Sequence, residues 1–410
     1  MKGTIFEKII KQHSSNAENV VSDEVISIRI DNLLLPDNCV MPIFELLEYT
    51  KIKPVHKNIY VALTNFHYQY EQNYSINQRK IIDYAKKYNF QVLENHKGIW
   101  NINLLELNKI ASGSTFLVRD STVNFFAPLN NLNISSGIQD LFKSITTGYH
   151  DYLIPEIIKV NLEGTIQPNI NGKNIALLLK KELSSLTQHR PYLIEFSGAL
   201  LPKLTANDLF TLSLHHYTMN RAAFMFPPLP QFNNLKNGVY PDADAEYSKI
   251  FNFDLSKTTP LIDVNGYISE VTEISGEKID KVYIGNSVGG LLDDLEFLAK
   301  ILSKHKVSVP TYIIPASTKI LEQAVVKDYI RPIIEAGCTL ITPATGLCSA
   351  INDIIPVAGE KILATGYNDL SVQVREIIKD FYNCSIDTAV ATAIKGEITT
   401  LNQLVRSIEG

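Results

Sequence analysis

Cysteine is scarce in this sequence, and the few cysteines present are far apart. The chain has four of them, Cys39, Cys338, Cys348 and Cys384. This number and spacing do not suit a disulfide-rich secreted scaffold. We therefore expect the protein to occupy a reduced, cytoplasmic environment.

The sequence also lacks long apolar runs and a strong net charge, and its first residues do not predict a signal peptide. No run of apolar residues approaches the roughly eighteen that a membrane-spanning helix needs, so none is expected. The net charge of −5 leaves no basic footprint for nucleic acid. The first residues, Met1–Lys8, lack the apolar core of a signal peptide. The 410 residues are 45% hydrophobic, which is enough for a large core and for roughly two to four domains.

A strand–turn–helix–strand pattern between Lys278 and Gly359 organises the sequence. This order of elements predicts a parallel sheet with crossover helices. The predicted elements are a strand at Ile279–Ile284, a glycine turn at Gly285–Gly290, a helix at Leu291–His305, a strand at Thr311–Ile314, one helix from about Lys319 into the Val326–Glu335 region, and a strand at Thr339–Thr342. Because ligands of such sheets gather at the carboxyl ends of the strands, we expect a site beside the turns that follow the first and last of these strands.

The first half of the chain also contains strand and helix patterns. The predicted strands are Val25–Ile30, Ile59–Leu63, Phe90–Leu93 and Thr115–Val118. The predicted helices are Thr4–His13, residues 77–87 and a segment from Asn207 to about Arg221. The whole sequence therefore predicts an α/β protein.

Five short motifs occur in the order found in a known family. They are Ile284–Gly290, Asp294–Leu295, Ile314–Ser317, Glu335–Cys338 and Pro343–Cys348. In these motifs the chain resembles the large subunit of 3-isopropylmalate dehydratase, within the aconitase superfamily. The corresponding family motifs read I-G-S-C-T-N-G, D-L, V-P-G-S, E-A-G-A and P-G-C-G-P-C. Two further segments, Ile154–Gly164 and Gly172–Leu177, resemble scaffold segments of the family that say nothing about activity.

The resemblance implies the aconitase-like large-subunit fold, with three α/β domains and mainly parallel sheets around a central cleft. Residues 1–278 would form two intertwined α/β domains. Residues 279–410 would form a third, which carries the degenerate cluster-binding turns. In the family a separate small swivelling domain completes the active site, so a small subunit on another chain is a possible partner.

The iron–sulfur cluster of the family is the feature that this sequence keeps least well. The three cysteines that hold the family's [4Fe-4S] cluster fall on Ser287, Thr345 and Cys348. Such clusters take thiolate ligands, which Ser and Thr hydroxyls replace poorly, and one cysteine cannot hold a cluster. We therefore expect neither a cluster nor any other metal cofactor, unless Cys338 or Cys384 supplies the missing thiolates.

The family's G-D-S-H motif falls on Arg119, Asp120, Ser121 and Thr122. The acid and the hydroxyl remain, but the imidazole that could move protons near neutral pH is lost. We predict that the catalytic residues are Asp120, Ser121, Ser287 and Thr345. The alternative for Asp120 and Ser121 is that they cap the segment that follows them.

Other functional positions of the family carry different residue types. The family's Asp-His pair falls near Thr64 and Asn65, where His67 could supply an imidazole or could be a surface or capping histidine. The substrate-gripping arginine falls on the neutral Asn368. The predicted substrate-binding residues are Arg119, His67, Asn286, Ser317 and Asn368.

The catalytic glutamate of the family falls on Thr218, which cannot abstract a proton at its ordinary pKa. His215 and His216 lie nearby. Neighbouring residues on a helix point about 100° apart, so these two histidines cannot act as a pair on one ligand.

Three functions fit the sequence. The first is a cluster-free lyase or isomerase that acts on a small carboxylate. The second is a non-catalytic protein that binds a metabolite or stabilises a partner subunit. The third and most distant is a serine hydrolase, since Gly285–Gly289 fits G-x-S-x-G with Ser287 as nucleophile. This third function needs a later histidine, and the sequence offers only His305, on or just after the next helix.

Overall fold

The fold is described from a computed structural model of the chain. It describes residues 3–14, 21–63, 73–94, 97–120, 122–183, 191–215, 223–232, 237–285, 289–343, 355–366, 370 and 372–409. None of the helices in these ranges is long and apolar enough to cross a membrane.

The strands belong to three large sheets and one two-stranded sheet. In chain order they are β1 (Val25–Arg29), β2 (Asn32–Pro36), β3 (Ile59–Ala62), β4 (Gln91–Leu93), β5 (Thr115–Val118), β6 (Leu132–Ser135), β7 (Tyr149–Leu153), β8 (Glu156–Glu163), β9 (Tyr192–Ser197), β10 (Ala223–Met225), β11 (Lys249–Asp254), β12 (Leu261–Val264), β13 (Tyr267–Glu270), β14 (Lys281–Gly285), β15 (Thr311–Ile314), β16 (Thr339–Leu340), β17 (Lys361–Ala364) and β18 (Asp380–Cys384).

Helices cover the sheets and connect the strands. In chain order they are α1 (Ile5–His13), α2 (Asp37–Thr50), α3 (Asn73–Tyr88), α4 (Trp100–Glu106), α5 (Ile138–Thr147), α6 (Gly172–Leu183), α7 (Ala206–Leu214), α8 (Leu292–Leu302), α9 (Thr318–Val326), α10 (Ile330–Glu335), α11 (Val372–Ile377), α12 (Ile386–Lys395) and α13 (Leu401–Glu409).

The first large sheet has the strand order β4-β3-β2-β5-β6, and all neighbours are parallel. Every residue of β2, β3 and β5 is buried. Continuous burial explains why these strands are runs of apolar residues without a polar face, as parallel strands covered on both sides are. The sequence predicted β5 with its observed bounds, and β3 to within one residue.

The second large sheet has the order β10-β9-β8-β11 and is also parallel throughout. Helices α6 and α7 pack against each other beside it. Phe196 of β9 lies in one apolar core with Leu179 of α6 and Leu212 of α7. The strand and helix predicted from the two scaffold motifs are present here as β8 and α6.

The third large sheet has the order β13-β12-β18-β17-β14-β15-β16. The five strands from β18 to β16 are parallel, and β12 is antiparallel to both of its neighbours. The chain runs outward from β14 through β15 to β16 and then returns to the other side of β14 as β17. The strand order therefore reverses between β14 and β17, the position where open α/β sheets bind ligands.

The first and third sheets share one apolar core. Trp100 of α4 stacks on Phe116 of β5 with ring centroids 6.0 Å apart. The same core contains Ile284 of β14 and Leu295 of α8. The two sheets are therefore packed through the helices that follow β4 and β14.

The third sheet corrects one helix prediction. The segment from Lys319 to Glu335 was predicted as one helix, and it is two helices, α9 and α10. The break falls at Asp328, which has a left-handed φ of 58°. Aspartate adopts this conformation more readily than most residues, so no glycine or proline marks the break in the sequence. In addition, β16 ends two residues before its predicted end.

Helix α1 is anchored to the second sheet by a buried carboxylate. Thr4 caps the helix, and its hydroxyl accepts a hydrogen bond from the Glu7 N–H. The Phe6 N–H donates to Glu195 Oε1 of β9 at 2.9 Å. The Tyr247 hydroxyl donates to the other oxygen, Oε2, at 3.1 Å. Glu195 thus occupies the N-terminus of a helix, where a negative charge is favourable.

The predicted boundary between residues 278 and 279 stays a prediction. Strands β12 and β13, which precede that boundary in the chain, lie in the same sheet as β14.

Candidate functional site

The carboxyl ends of the strands in the first and third sheets meet. Gly98, which follows β4, and Ser317, which follows β15, form an antiparallel β-bridge. The Ile99 N–H donates to the Ala316 carbonyl at 3.1 Å. The loops that leave the two sheets therefore line a common region, as the predicted central cleft requires.

The backbone of the turn after β14 packs closely against the end of β15. Gly285 has a φ of +102°, and a Cβ at this position would lie 2.0 Å from the Ile314 carbonyl oxygen. Gly290 has a φ of +67°, and its Cβ would lie 2.2 Å from the same oxygen. The Ala316 N–H donates to the Gly290 carbonyl at 3.0 Å. Only glycine fits at these two positions, because both the backbone conformation and the space exclude a side chain.

Thr365, at the end of β17, is bound to the turn after β14. The Gly285 N–H donates to Thr365 Oγ1 at 3.0 Å. The Thr365 N–H donates to the Tyr283 carbonyl at 3.0 Å. The two loops that flank the point of strand reversal are therefore joined directly.

A buried lysine lies under this junction. Lys173 of α6 is 3% exposed, and its Nζ contacts three groups. It donates to the carbonyl oxygens of Thr365 at 3.1 Å and Gly366 at 3.2 Å. Its third contact is His215 Nε2 at 3.0 Å. An ammonium group has three N–H donors, so the two carbonyls and a His215 Nε2 that carries no proton would match its full capacity.

Asn383 holds the same turn from the other side. Its Nδ2 donates to the Ala364 carbonyl at 2.9 Å and also to the Gly366 carbonyl. Three consecutive carbonyl groups, those of residues 364–366, are thus bound by two buried side chains. An irregular buried turn has no strand partner for its carbonyls, and here Lys173 and Asn383 supply the donors.

Burial lowers the pKa of Lys173 to about 7. The cause is the loss of water around the ammonium group, which disfavours the charged form. The negative charge of Asp263 on β12 opposes this shift, and Lys180 on α6 adds to it. Cys384, at the end of β18, also lies near Lys173, and burial raises the pKa of its thiol.

Helix α6 joins the second sheet to the third through several other polar contacts. Asn171 Nδ2, just before the helix, donates to Asp387 of α12 at 2.8 Å. Asn174 Oδ1 accepts from the Leu261 N–H at 2.8 Å. Lys180 forms an ion pair with the buried Asp263 at 2.5 Å. Lys173 is therefore one member of a polar interface between α6 and the third sheet.

Asp294 occupies the first turn of α8, the helix that follows the Gly285–Gly290 turn. Its Oδ2 accepts from the Leu291 N–H at 3.2 Å, and its Oδ1 accepts from Asn207 Nδ2 of α7 at 2.7 Å. Burial raises the pKa of the Asp294 carboxyl to about 6. The Asp294 carboxyl therefore caps the start of α8 and joins this helix to α7 through the hydrogen bond from Asn207.

Arg119 and Asp120 follow β5, at the carboxyl edge of the first sheet. The Arg119 side chain is exposed. Asp120 Oδ1 accepts from the Thr122 N–H at 2.7 Å and from the Thr122 hydroxyl at 2.5 Å. These contacts are those of the capping alternative. The catalytic role of Asp120 stays a prediction.

Ser317 follows β15 and is fully buried. Its hydroxyl donates to Glu106 Oε1 at 2.6 Å and accepts from the Ile320 N–H at 3.1 Å, so it caps α9. Burial raises the pKa of the Glu106 carboxyl. The substrate-binding role of Ser317 stays a prediction, and in this structure both hydrogen bonds of its hydroxyl are used internally.

The other candidate residues of the sequence analysis lie outside the described residues. They are Ser121, Ser287, Thr345, His67, Asn286, Asn368, Thr218 and Cys348.

The serine-hydrolase alternative stays a prediction. It requires that the Ser287 hydroxyl and a histidine lie within hydrogen-bonding distance. His305 follows the end of α8, and Ser287 lies outside the described residues.

The described cysteines do not form a thiolate cluster. Cys39, Cys338 and Cys384 are buried, and burial raises the pKa of Cys39 and of Cys338 to about 12. Cys338 precedes β16 and Cys384 ends β18, four strands away in the same sheet, or about 19 Å at 4.8 Å per strand. Within the described ranges, no group of three His, Cys, Asp or Glu residues could hold a metal ion.

Comparisons with known proteins identify the family. The profile of the aconitase family (aconitate hydratase) matches residues 7–215, just over half of the chain. The chain therefore belongs to the aconitase family, and the resemblance found in its motifs is confirmed.

Full-length relatives are large subunits of dehydratases. The chain is 25% identical to the homoaconitase large subunit of Thermus thermophilus, and the match covers 98% of both chains. It is 28% identical to the 3-isopropylmalate dehydratase large subunit of Clostridium kluyveri, over 99% of this chain and 100% of that one.

A solved structure has a similar fold. Holo aconitase X of Thermococcus kodakaraensis matches with a TM-score of 0.50 and 12% sequence identity, over 83% of each chain. At that identity the similarity concerns the fold alone. The predicted aconitase-like α/β fold with mainly parallel sheets is confirmed.

Lys173 is the residue that the sequence analysis missed. Its segment was interpreted as scaffold, and it is also the segment that reaches the turn after β17. No local signal in the sequence indicated this contact, because Lys173 lies between Gly172 and Asn174, before the apolar run of α6, where an exposed lysine is the ordinary expectation.

Proposed function

We propose that this chain is a lyase or isomerase for a small carboxylate and that it works without an iron–sulfur cluster. The observation that best supports this proposal is the Lys173 contact with the turn after β17. Through this contact the buried amine of Lys173 supports the backbone of Thr365 and Gly366 at the point of strand reversal, where ligands of α/β sheets bind.

The positive groups of this region are Arg119 and Lys173. The N-terminus of helix α8 is already occupied, because its first turn contains Asp293 and Asp294 and the Asp294 carboxyl accepts from the Leu291 N–H. The guanidinium group of Arg119 is exposed at the end of β5, where it could bind a carboxylate through two hydrogen bonds. We therefore assign the substrate carboxylate to Arg119, with Lys173 as the positive charge behind the turn after β17.

The cluster of the family does not fit the donor atoms of this chain. Two of its three ligand positions carry hydroxyls, on Ser287 and Thr345, and hydroxyls replace thiolates poorly. The described cysteines are too far apart in the sheet to complete a site. We therefore derive no chemical step through a cluster.

Dehydration or isomerisation of a hydroxy acid requires a base and an acid. The base removes a proton from the carbon beside a carboxylate, and the acid protonates the leaving oxygen. We assign the base to the Asp120 carboxylate, which takes the proton from carbon. The acid is assigned to the Ser121 hydroxyl, which gives its proton to the leaving oxygen, so that water departs as the carbon–carbon double bond forms. Asp120 then returns the proton to the Ser121 oxygen. The hydroxyls of Ser287 and Thr345 are assigned to hydrogen bonds with the substrate carboxylate. The neutral Asn368 would bind the substrate through its amide.

The relatives suggest both a substrate and a partner. One is named a 3-isopropylmalate dehydratase, so 3-isopropylmalate is the first ligand to test. Both full-length relatives are named large subunits, and we propose a small subunit on a second chain. The tagged chain isolated from its native cells should then carry a smaller second chain. Isolation as a single chain would contradict this partner.

A non-catalytic binding protein is the second candidate. Two contacts favour it, since Asp120 is hydrogen-bonded to Thr122 and Ser317 to Glu106. If these contacts persist in the presence of ligand, neither group is available to a substrate.

One experiment separates the two candidates. The chain, treated with a chelator, is incubated with 3-isopropylmalate in heavy water, and loss of the substrate C–H signal is followed by proton NMR. A lyase or isomerase exchanges this proton. Asp120→Asn should slow the exchange by on the order of a hundredfold or more, and the exposed control Asp83→Asn should not. Binding without exchange would support the second candidate, and absence of both would contradict each candidate for this ligand.

A further inference from the structure

We propose that Lys173 is a positioning residue that holds the loops after β14 and β17 in the arrangement that binds an anionic ligand. This inference rests on the proposed function, because it names the residue that supports the proposed site from behind. In this proposal the Lys173 side chain contacts no ligand and acts through the backbone of Thr365 and Gly366.

The first argument is the completeness of the lysine contacts. A buried amine without partners would be costly, and Lys173 has three polar partners for its Nζ. Two are carbonyl acceptors of the turn after β17, and the third is the imidazole of His215 at the end of α7, which accepts when its Nε2 carries no proton. The lysine thus fixes this turn relative to two helices of the second sheet.

The second argument is that Thr365, which accepts from Lys173, also binds the loop after β14. Thr365 offers its carbonyl to Lys173 and its Oγ1 to the Gly285 N–H. Gly285 is the last residue of β14, and a side chain there would meet the Ile314 carbonyl at 2.0 Å. A shift of the 365–366 turn would therefore also release the turn that leads to Ser287.

The third argument is the long range of the connection. Lys173 lies 192 residues before Thr365 and 42 residues before His215. Asn383 already binds two of the three carbonyls, so the turn would keep part of its support without the lysine. We therefore expect the turn to form without the lysine. The lysine determines where the turn lies and places a positive charge beside it.

The charge of the lysine makes its action dependent on pH. The ammonium group faces His215 of α7, Cys384 of β18 and Asp263 of β12, with Lys180 further along α6. In the same interface, Asp387 of α12 binds the neighbouring Asn171. When the ammonium loses a proton it keeps two N–H donors for the carbonyls. It can then accept a hydrogen bond from His215 Nε2 if the imidazole carries its proton on that nitrogen. The geometry survives, and the positive charge behind the site is lost.

The test compares Lys173→Met with Lys181→Met. Methionine resembles the lysine stem in length and removes the charge and all three donors. Lys181 lies on the same helix and is exposed, so it controls for the loss of a lysine. Binding of 3-isopropylmalate to the full chain is measured by calorimetry at pH 6 and pH 8.5.

We expect Lys173→Met to weaken binding at pH 6 by on the order of tenfold and the control to stay within about twofold. The wild-type affinity should fall between pH 6 and pH 8.5, and the fall should be smaller in Lys173→Met, where Asp294 still titrates and the side chain at position 173 does not. A purely structural role would leave the size of the fall unchanged. Wild-type affinity and wild-type pH dependence in Lys173→Met would overturn the proposal.

A second measurement needs no ligand. Hydrogen–deuterium exchange at the Gly285 amide reports the contact with Thr365, and exchange at the Leu33 amide of the first sheet reports global opening. Lys173→Met should accelerate exchange at Gly285 and leave Leu33 unchanged. Thr365→Val, which removes the acceptor of the Gly285 N–H and keeps the shape, should accelerate exchange at Gly285 in the same way. Unchanged exchange at Gly285 in Lys173→Met would overturn the positioning role.

The two measurements separate this proposal from the proposed function. If the wild-type chain does not bind 3-isopropylmalate and exchange at Gly285 is faster in Lys173→Met, the ligand assignment is wrong and the positioning role stands. If the wild-type chain binds and Lys173→Met behaves like the wild type in both measurements, the positioning role is wrong and the ligand assignment stands.

Discussion

Gly98 and Ser317 lie opposite each other in a β-bridge that joins the loop after β4 to the loop after β15. A Cβ on Gly98 would lie 2.4 Å from the Ala316 carbonyl oxygen and 2.5 Å from the Ser317 Cα. This contact between the carboxyl edges of the first and third sheets therefore depends on a residue without a side chain.

Gly98→Ala should destabilise the contact between the two sheets. Gly98 has a φ of +108°, so alanine there is both strained and in collision with backbone. Gly266→Ala is the matched control, because Gly266 has a φ of +100° and nothing within 4 Å of its Cβ. Backbone strain costs about 1–3 kcal/mol in both variants, and the collision adds to this in Gly98→Ala. Chemical unfolding monitored by circular dichroism measures the difference. Equal losses of unfolding free energy in Gly98→Ala and Gly266→Ala would show that the close contact is absent in solution.

Asp294 should make stability depend on pH between about 4 and 6. Burial raises the pKa of its carboxyl from 3.8 to about 6, so in this range the folded chain binds more protons than the unfolded chain. The stabilisation from the protonated carboxyl is complete below about pH 4 and is lost as the pH rises through 6. The loss is of the order of 3 kcal/mol at most.

Asp294→Asn isolates this effect. Asparagine does not titrate, so the difference in unfolding free energy between wild type and variant should change across the range from pH 4 to pH 6. Urea unfolding at half-unit intervals measures it. Other buried carboxyls contribute equally to both proteins and cancel. A difference that stays constant with pH would mean that Asp294 is not buried in its charged form.

Glu195→Met should release the start of helix α1. Glu195 accepts hydrogen bonds at both oxygens, from the Phe6 N–H and from the Tyr247 hydroxyl. Methionine is similar in length and has no oxygen acceptor, so the buried Phe6 N–H loses its partner. An unmatched buried donor costs about 1–3 kcal/mol, and hydrogen exchange at the Phe6 amide should accelerate. Tyr247→Phe removes only one donor and should leave exchange at Phe6 almost unchanged. Equal protection of Phe6 in Glu195→Met and wild type would refute the anchor.

Local patterns were sufficient to predict much of the sheet. Thr311–Ile314 and Thr115–Val118 are short apolar runs bounded by turn residues, and both strands have the predicted limits. Their burial on both faces of a sheet produces the continuous apolar pattern that the prediction used. The glycine turn after β14 was also predictable, because its glycines are required by positive φ and by contact with Ile314.

The candidate site was less predictable, because its central contacts are long-range. Nothing near Lys173 in the sequence indicates that its Nζ lies 3.1 Å from a carbonyl 192 residues away. The break between α9 and α10 occurs at Asp328, which has a left-handed backbone conformation. No glycine or proline in the sequence indicates a break there. Asp120 and Ser317 are the candidate residues for which the structure gives side-chain contacts, with Thr122 and with the Ile320 N–H. The sequence offered a capping alternative for Asp120, but it did not indicate that Ser317 caps α9.

The measurement that tests the central claim most directly is the iron and acid-labile sulfide content of the chain after anaerobic purification and attempted reconstitution. The account predicts no stoichiometric iron or sulfide, because two of the three family ligand positions are Ser287 and Thr345. About four iron and four sulfide per chain, the content of one [4Fe-4S] cluster, would contradict it. Cys348 would then have thiolate partners, and the chemistry of the family would apply to this chain.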